Sequence, residues 1–141
     1  MSFTMTKDER EAYLADLHVG ILGINAEGRA PVVVPIWYSY EPGSEIVFIT
    51  NKGAKKIDLL KKAGRFSLCV QEEASPYSFV SVEGAVISIT EANHKRDLTP
   101  LAQRYLGMEK GSQYVSDTQG DSEVLVRMRP ERWFSADYGK G

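Results

Sequence analysis

Thr50, Asn51, Lys52, Lys55 and Lys56 crowd two hydrogen-bonding side chains and three ammonium groups into one short stretch. They follow the apolar, β-branched run Ile46-Val47-Phe48-Ile49, pass Gly53 and enter an amphipathic segment at Ala54. A strand that feeds a helix through a short glycine-containing loop leaves unpaired backbone N–H groups at the helix start, and these favour an anion. Lysines in a first helical turn oppose the macrodipole. A bound phosphate would offset that cost. The plainer reading makes them a solvated helix face, and this stretch leaves both readings open.

Elsewhere the chemistry is thin. His18 and His94 stand outside any Cys, Asp or Glu cluster with metal-ligand spacing, so no metal site is expected. There is no nucleophile elbow, no phosphate-cradling P-loop and no GxGxxG. Glu72-Glu73 reads as a solvated loop, and Glu83, inside a strand pattern, is expected to pair with a basic neighbour. Neither makes a carboxylate pair for glycoside hydrolysis. If the chain is an enzyme, its reactive group is borrowed from a cofactor.

Composition narrows the setting. The 141 residues, 43% hydrophobic and 26% charged, suit one globular domain spanning residues 1–141. A net charge of −2, and lysines that cluster rather than interleave with aromatics, argue against nucleic acid as a partner. Met1 to Thr6 lacks a basic region followed by an apolar one, and no window reaches a membrane span. With the single Cys69, expected as a small buried hydrophobe, this suggests a cytoplasmic protein with no membrane partner.

The elements that must position the lysines follow from the patterning. Thr6-Lys7-Asp8-Glu9 forms a capping box and predicts a helix from about Lys7 to Asp16. Strands are expected at Val19–Ile24, Ala30–Tyr40 and Glu45–Thr50, the last two as a hairpin across Glu41-Pro42-Gly43-Ser44. Pro35 marks a bulge or an edge. A helix over Ala54–Ala63 ends at Gly64. Strands at Phe66–Gln71 and Tyr77–Ile89 follow, with Gly84 allowing a bend. Thr99-Pro100 opens a short helix that closes at Gly107. Val124–Met128 is a further strand, which Pro130 breaks before a short extension at Trp133–Ser135. Six to seven strands in mainly hairpin order, with short helices at two crossovers, predict a mainly β, small antiparallel barrel rather than a doubly wound sheet.

The order Val32-Val33-Val34-Pro35-Ile36-Trp37, Phe48-Ile49-Thr50-Asn51, Lys55-Lys56, Val80-Ser81-Val82-Glu83-Gly84 resembles the pyridoxamine-phosphate-oxidase-like, FMN-binding split-barrel superfamily. Arg129-Pro130-Glu131-Arg132-Trp133 resembles that superfamily's last strand. The resemblance implies a homodimer with the cofactor site between subunits. It implies that Thr50, Asn51, Lys52, Lys55 and Lys56 hold the cofactor phosphate and that Val34, Pro35, Ile36, Trp37 and Ile49 wall the ring system. Phe79 would pack nearby, and Trp133 would reach the partner's cofactor. True pyridoxamine-phosphate oxidases carry basic residues where this chain has Pro31, Ile36 and Trp133 to Tyr138, so that oxidation is not expected. The Pro-Ile-Trp-Tyr pattern looks more like the deazaflavin-dependent reductases. The implied activity is hydride transfer from coenzyme F420 to a small electron-poor substrate. FMN in the same cleft, or a carrier that binds a flavin without turnover, is the alternative.

Overall fold

The computed structural model describes residues 2–118 and 122–140. Helix α1 (Lys7–Ala15) starts as the capping box requires: the Thr6 hydroxyl accepts from the Glu9 amide, and Glu9 accepts from the Thr6 amide. Strands β1 (Gly20–Ile24), β2 (Val32–Ile36) and β3 (Ile46–Asn51) precede α2 (Lys55–Ala63). Strands β4 (Arg65–Glu72) and β5 (Ser78–Glu91) lead to α3 (His94–Leu106) and α4 (Met108–Asp117). Strand β6 (Glu123–Asp137) and a 3-10 turn, Tyr138–Lys140, complete the described chain.

The six strands form one antiparallel sheet in the order β2-β1-β4-β5-β6-β3. The expected hairpin between β2 and β3 is not formed: the two lie at opposite edges, and β3 pairs along its length with β6. The sheet curls until the chain just beyond β2 meets β3, where Ser39 and Val47 exchange backbone hydrogen bonds of 2.9 and 3.0 Å. That bridge stands in for the missing ladder. Strand β2 therefore stops at Ile36 rather than running to Tyr40, and Pro35 sits on an edge strand, where its missing N–H costs no ladder bond.

Two further expectations change for local reasons. Pro130 does not break β6. It lies opposite Gly84 at a register shift, where a Cβ on residue 84 would stand 1.8 Å from the Arg129 carbonyl oxygen. Only glycine allows that approach, and the bulge removes the need for a proline N–H. Helix α3 begins at His94, capped by Asn93, whose side chain accepts from the Arg96 amide at 2.8 Å. Pro100 is thus inside the helix and Thr99 is no cap. The barrel is filled by Leu22, Ile24, Tyr38, Phe48, Leu68, Val80, Val126 and Met128, with Leu14 of α1 and Ile57 and Leu60 of α2 closing it. Leu98, Leu101, Ala102 and Val115 form a second, smaller core between α3 and α4. Cys69 is half-buried on the outward face of β4 rather than in the core. Glu83 pairs with Arg65, as does Glu131.

Candidate functional site

The α3–α4 hairpin lies over β2 and β3 and leaves a cavity of about 500 Å³ between helices and sheet. Five residues singled out in the sequence meet there: Pro35, Ile36 and Trp37 from the end of β2, Ile49 from β3 and Lys56 from α2. The far wall consists of Leu98 and Leu101 of α3, Tyr114 of α4, Thr118, and Glu123 opening β6. Strand alternation explains the selection. Ile46, Phe48 and Thr50 are the buried positions of β3, so Ile49 points the other way, under the helices.

Lys56 is the cation of this cavity. It is half-buried, and burial alone lowers its pKa from the ordinary lysine value. Among the described residues no carboxylate lies within ion-pair distance of it. Helix α2 has no side-chain cap at Ala54, so its first turn is left to solvent or a ligand. A partly desolvated ammonium beside an uncapped helix start suits a phosphate. The fit of these residues to a phosphate-bearing cofactor rests on that pairing.

Trp37 is held firmly. Its ring stacks on Tyr105 at 5.1 Å and 5°, and Tyr114 leans on it at 5.4 Å and 56°. Tyr105 is in turn pinned by its hydroxyl, which donates toward the His18 carbonyl at 2.6 Å and accepts from the Tyr38 amide at 3.1 Å. The indole is therefore a fixed wall of the cavity rather than a movable flap.

The remaining expected residues lie elsewhere. Lys55, one position before Lys56, turns to a separate cavity of about 380 Å³ with Arg29 and Lys62. Thr50 is buried opposite Val124. Asn51 accepts from the Gly53 amide at 2.8 Å and shapes the turn, and Lys52 is exposed. Val34 packs on the main core. Phe79 lies on the outer face of the sheet, 5.4 Å from Phe134. Trp133 lies under α1, with the Arg10 guanidinium 4.9 Å over its ring and Tyr40 at its edge.

Sequence reading placed Tyr105 on a helix but not at the site, gave no role to Glu123 at the start of β6, and missed Tyr114 and Thr118 because α4 was not expected at all. Its signal was present in Gly111 and Val115, one helical turn apart and both buried. Gly111 lets α4 approach α3 so closely that a Cβ there would stand 2.5 Å from the Gln103 backbone.

A curled six-stranded antiparallel sheet, with helices over its edge strands, defines a split β-barrel fold. The family model described as pyridoxamine 5'-phosphate oxidase matches residues 6–136, and the chain belongs to that family. Among curated proteins none matches. The fold is shared with a conserved hypothetical protein from Mycobacterium tuberculosis (23% identity, TM-score 0.80, 99% of this chain and 89% of that one). It is also similar to an F420 reductase (19%, TM-score 0.71, 88% and 94%) and to an FAD-binding protein from Mesorhizobium loti (20%, TM-score 0.60, 93% of each). No helix among the described residues is long and apolar enough to cross a membrane.

Proposed function

We propose that the protein is an oxidoreductase that uses coenzyme F420 to reduce a small electron-poor organic substrate. The observation that carries this reading is the cavity itself, which sets a half-buried lysine, without an ion-pair partner among the described residues, against an apolar and aromatic wall. When bound, such a coenzyme supplies a hydride. The chain's own part is binding and orientation. Lys56 would hold the phosphate by a charge-assisted hydrogen bond, with Lys52 and Lys55 adding positive charge nearby. Ile36, Trp37 and Ile49 would flank the ring system and exclude water, and the Trp37–Tyr105 stack would keep that wall rigid. The similarity to an F420 reductase over most of both chains supports the deazaflavin. The similarity to an FAD-binding protein supports the second reading, a flavin such as FMN in the same cavity, with or without turnover.

The site would be completed by a second copy of the chain. Across the outer face of the sheet, Pro35, Ile21, Cys69, Ser81 and Phe134 stand in register from β2 to β6, with Val33 and Phe79 beside them. Phe134 is 71% and Val33 64% exposed, an apolar band unusual for a solvated sheet face. Pro35 belongs both to this band and to the cavity wall. A homodimer formed here would bring partner groups to the cavity's open side.

Paired titrations test the reading. Tryptophan fluorescence should report tighter binding of F420 than of FMN, and the loaded protein should reduce an activated alkene or quinone. Tight FMN binding without a deazaflavin response would reassign the cofactor. Light scattering should give a dimer that Phe134→Lys converts to monomer. A wild-type monomer at micromolar concentration would refute the shared site.

A further inference from the structure

Among the described residues, Glu123 is the sole acidic group that lines the Lys56 cavity. His94, at the first position of α3, holds it: Nδ1 lies 2.7 Å from Glu123 Oε1. The other ring nitrogen, Nε2, lies 2.9 Å from the Val115 carbonyl oxygen and 3.2 Å from the Thr118 hydroxyl. That hydroxyl has its own acceptor, the Tyr114 carbonyl at 2.8 Å. A carboxylate and a carbonyl can only accept, so both ring nitrogens donate and His94 is an imidazolium in this arrangement. The side chains of His94 and Glu123 are 18% and 17% exposed, which keeps the pair only weakly screened.

These contacts join the start of α3, the end of α4 and the start of β6, three walls of the cavity. They also set its charge. With His94 protonated, Glu123 is neutralised and Lys56 supplies a net positive field. With His94 neutral, an uncompensated carboxylate faces any anion that approaches Lys56. We propose that His94 is a positioning residue that keeps Glu123 from competing for Lys56, so that the cavity accepts a phosphate-type dianion well only while His94 carries its proton.

This inference rests on the reading of the cavity as a cofactor-phosphate site. Among the described residues, the groups in contact with His94 are Glu123 of β6, the Val115 carbonyl of α4 and the Thr118 hydroxyl just beyond α4, and Lys56 of α2 lines the same cavity as Glu123. Asp97 of α3 is engaged by Arg96 and the Asn93 amide, and Asp117 of α4 by Gln113. Glu123, followed by the Val115 carbonyl, raises the His94 pKa above its ordinary value, so the transition falls on the alkaline side of a free histidine.

The test uses the intact protein with sulfate, which keeps its double charge across the range, and FMN as a second probe. Dissociation constants are measured from about pH 5.5 to about pH 9, the interval over which a histidine changes charge. Wild-type affinity for sulfate should fall about tenfold as His94 deprotonates, the scale of one unit charge near a protein surface. Glu123→Gln should bind tightly at both ends of the range. His94→Gln should bind weakly at both ends, and combining it with Glu123→Gln should restore tight, pH-independent binding. Lys56→Ala should abolish the sulfate response and so locate the ion. The proposal is overturned by a Glu123→Gln profile that still follows pH, by His94→Gln binding as tightly as wild type at low pH, or by sulfate binding indifferent to Lys56. Sulfate linkage that behaves as described, with no FMN or F420 binding, would count against the cofactor reading alone.

Discussion

Lys56 offers the sharpest test of the site, because its two neighbours in sequence supply internal controls. Burial lowers its pKa without any partner to offset the loss of water, so the ligand-free protein bears a cost for holding the charge there. Lys55 and Lys52 are exposed and bear none. A charge-assisted hydrogen bond from a partly desolvated ammonium to phosphate is worth about 1.5–3 kcal/mol. Lys56→Met should therefore weaken FMN or F420 binding roughly 10- to 150-fold by calorimetry. The same change at Lys55 should cost at most about 1 kcal/mol, the range of an exposed pair, and should vanish in high salt. The stability effect has the opposite sign. A lysine whose pKa falls on folding is a liability wherever it is charged, so at neutral pH it destabilises the free protein. Lys56→Met should raise the urea midpoint of the ligand-free protein while it removes binding. Equal losses at Lys55 and Lys56, or a Lys56→Met protein less stable than wild type, would refute the assignment of Lys56 as a desolvated anion ligand.

Three further outcomes follow from particular contacts. The Tyr38 hydroxyl donates to the Leu14 carbonyl at 2.6 Å, both residues fully buried. Tyr38→Phe leaves that carbonyl without its donor and should cost about 1–3 kcal/mol in urea denaturation; an unchanged midpoint would count against the bond. Gly111→Ala should push α4 away from Gln103, visible as altered Trp37 fluorescence and weakened ligand binding with the barrel still folded. His94 has its pKa raised in the folded state, so its stabilising contribution is complete below the unfolded value of about 6.5 and fades as pH rises through the folded value. The thermal midpoints of wild type and His94→Gln should accordingly differ most near about pH 5.5 and converge near about pH 9. A difference that grows with pH would refute the ion pair.

The sequence alone determined the elements whose signals are local. A capping box set the start of α1, Gly64 ended α2, and alternating apolar residues marked β1, β3, β4 and β5 within a residue or two. Local pattern also picked Lys56, and the family resemblance picked Pro35, Ile36, Trp37 and Ile49, which reach the same cavity. Pairing partners were not local. A hairpin turn at Pro42-Gly43 suggested that β2 and β3 would lie side by side, yet β2 pairs with β1 and β3 with β6, and they meet only at Ser39 and Val47. Pro130 reads as a strand breaker until Gly84 stands opposite it. Lys55 and Lys56 are chemically equal in the sequence, but the helix turns successive residues about 100° apart and sends them to different cavities. His94 and Glu123 are far apart in the chain, and only the packing of α3 and α4 across β6 brings them to 2.7 Å. Periodicity and capping are written in neighbouring residues, whereas partners distant in sequence are chosen by the burial that the whole chain achieves at once.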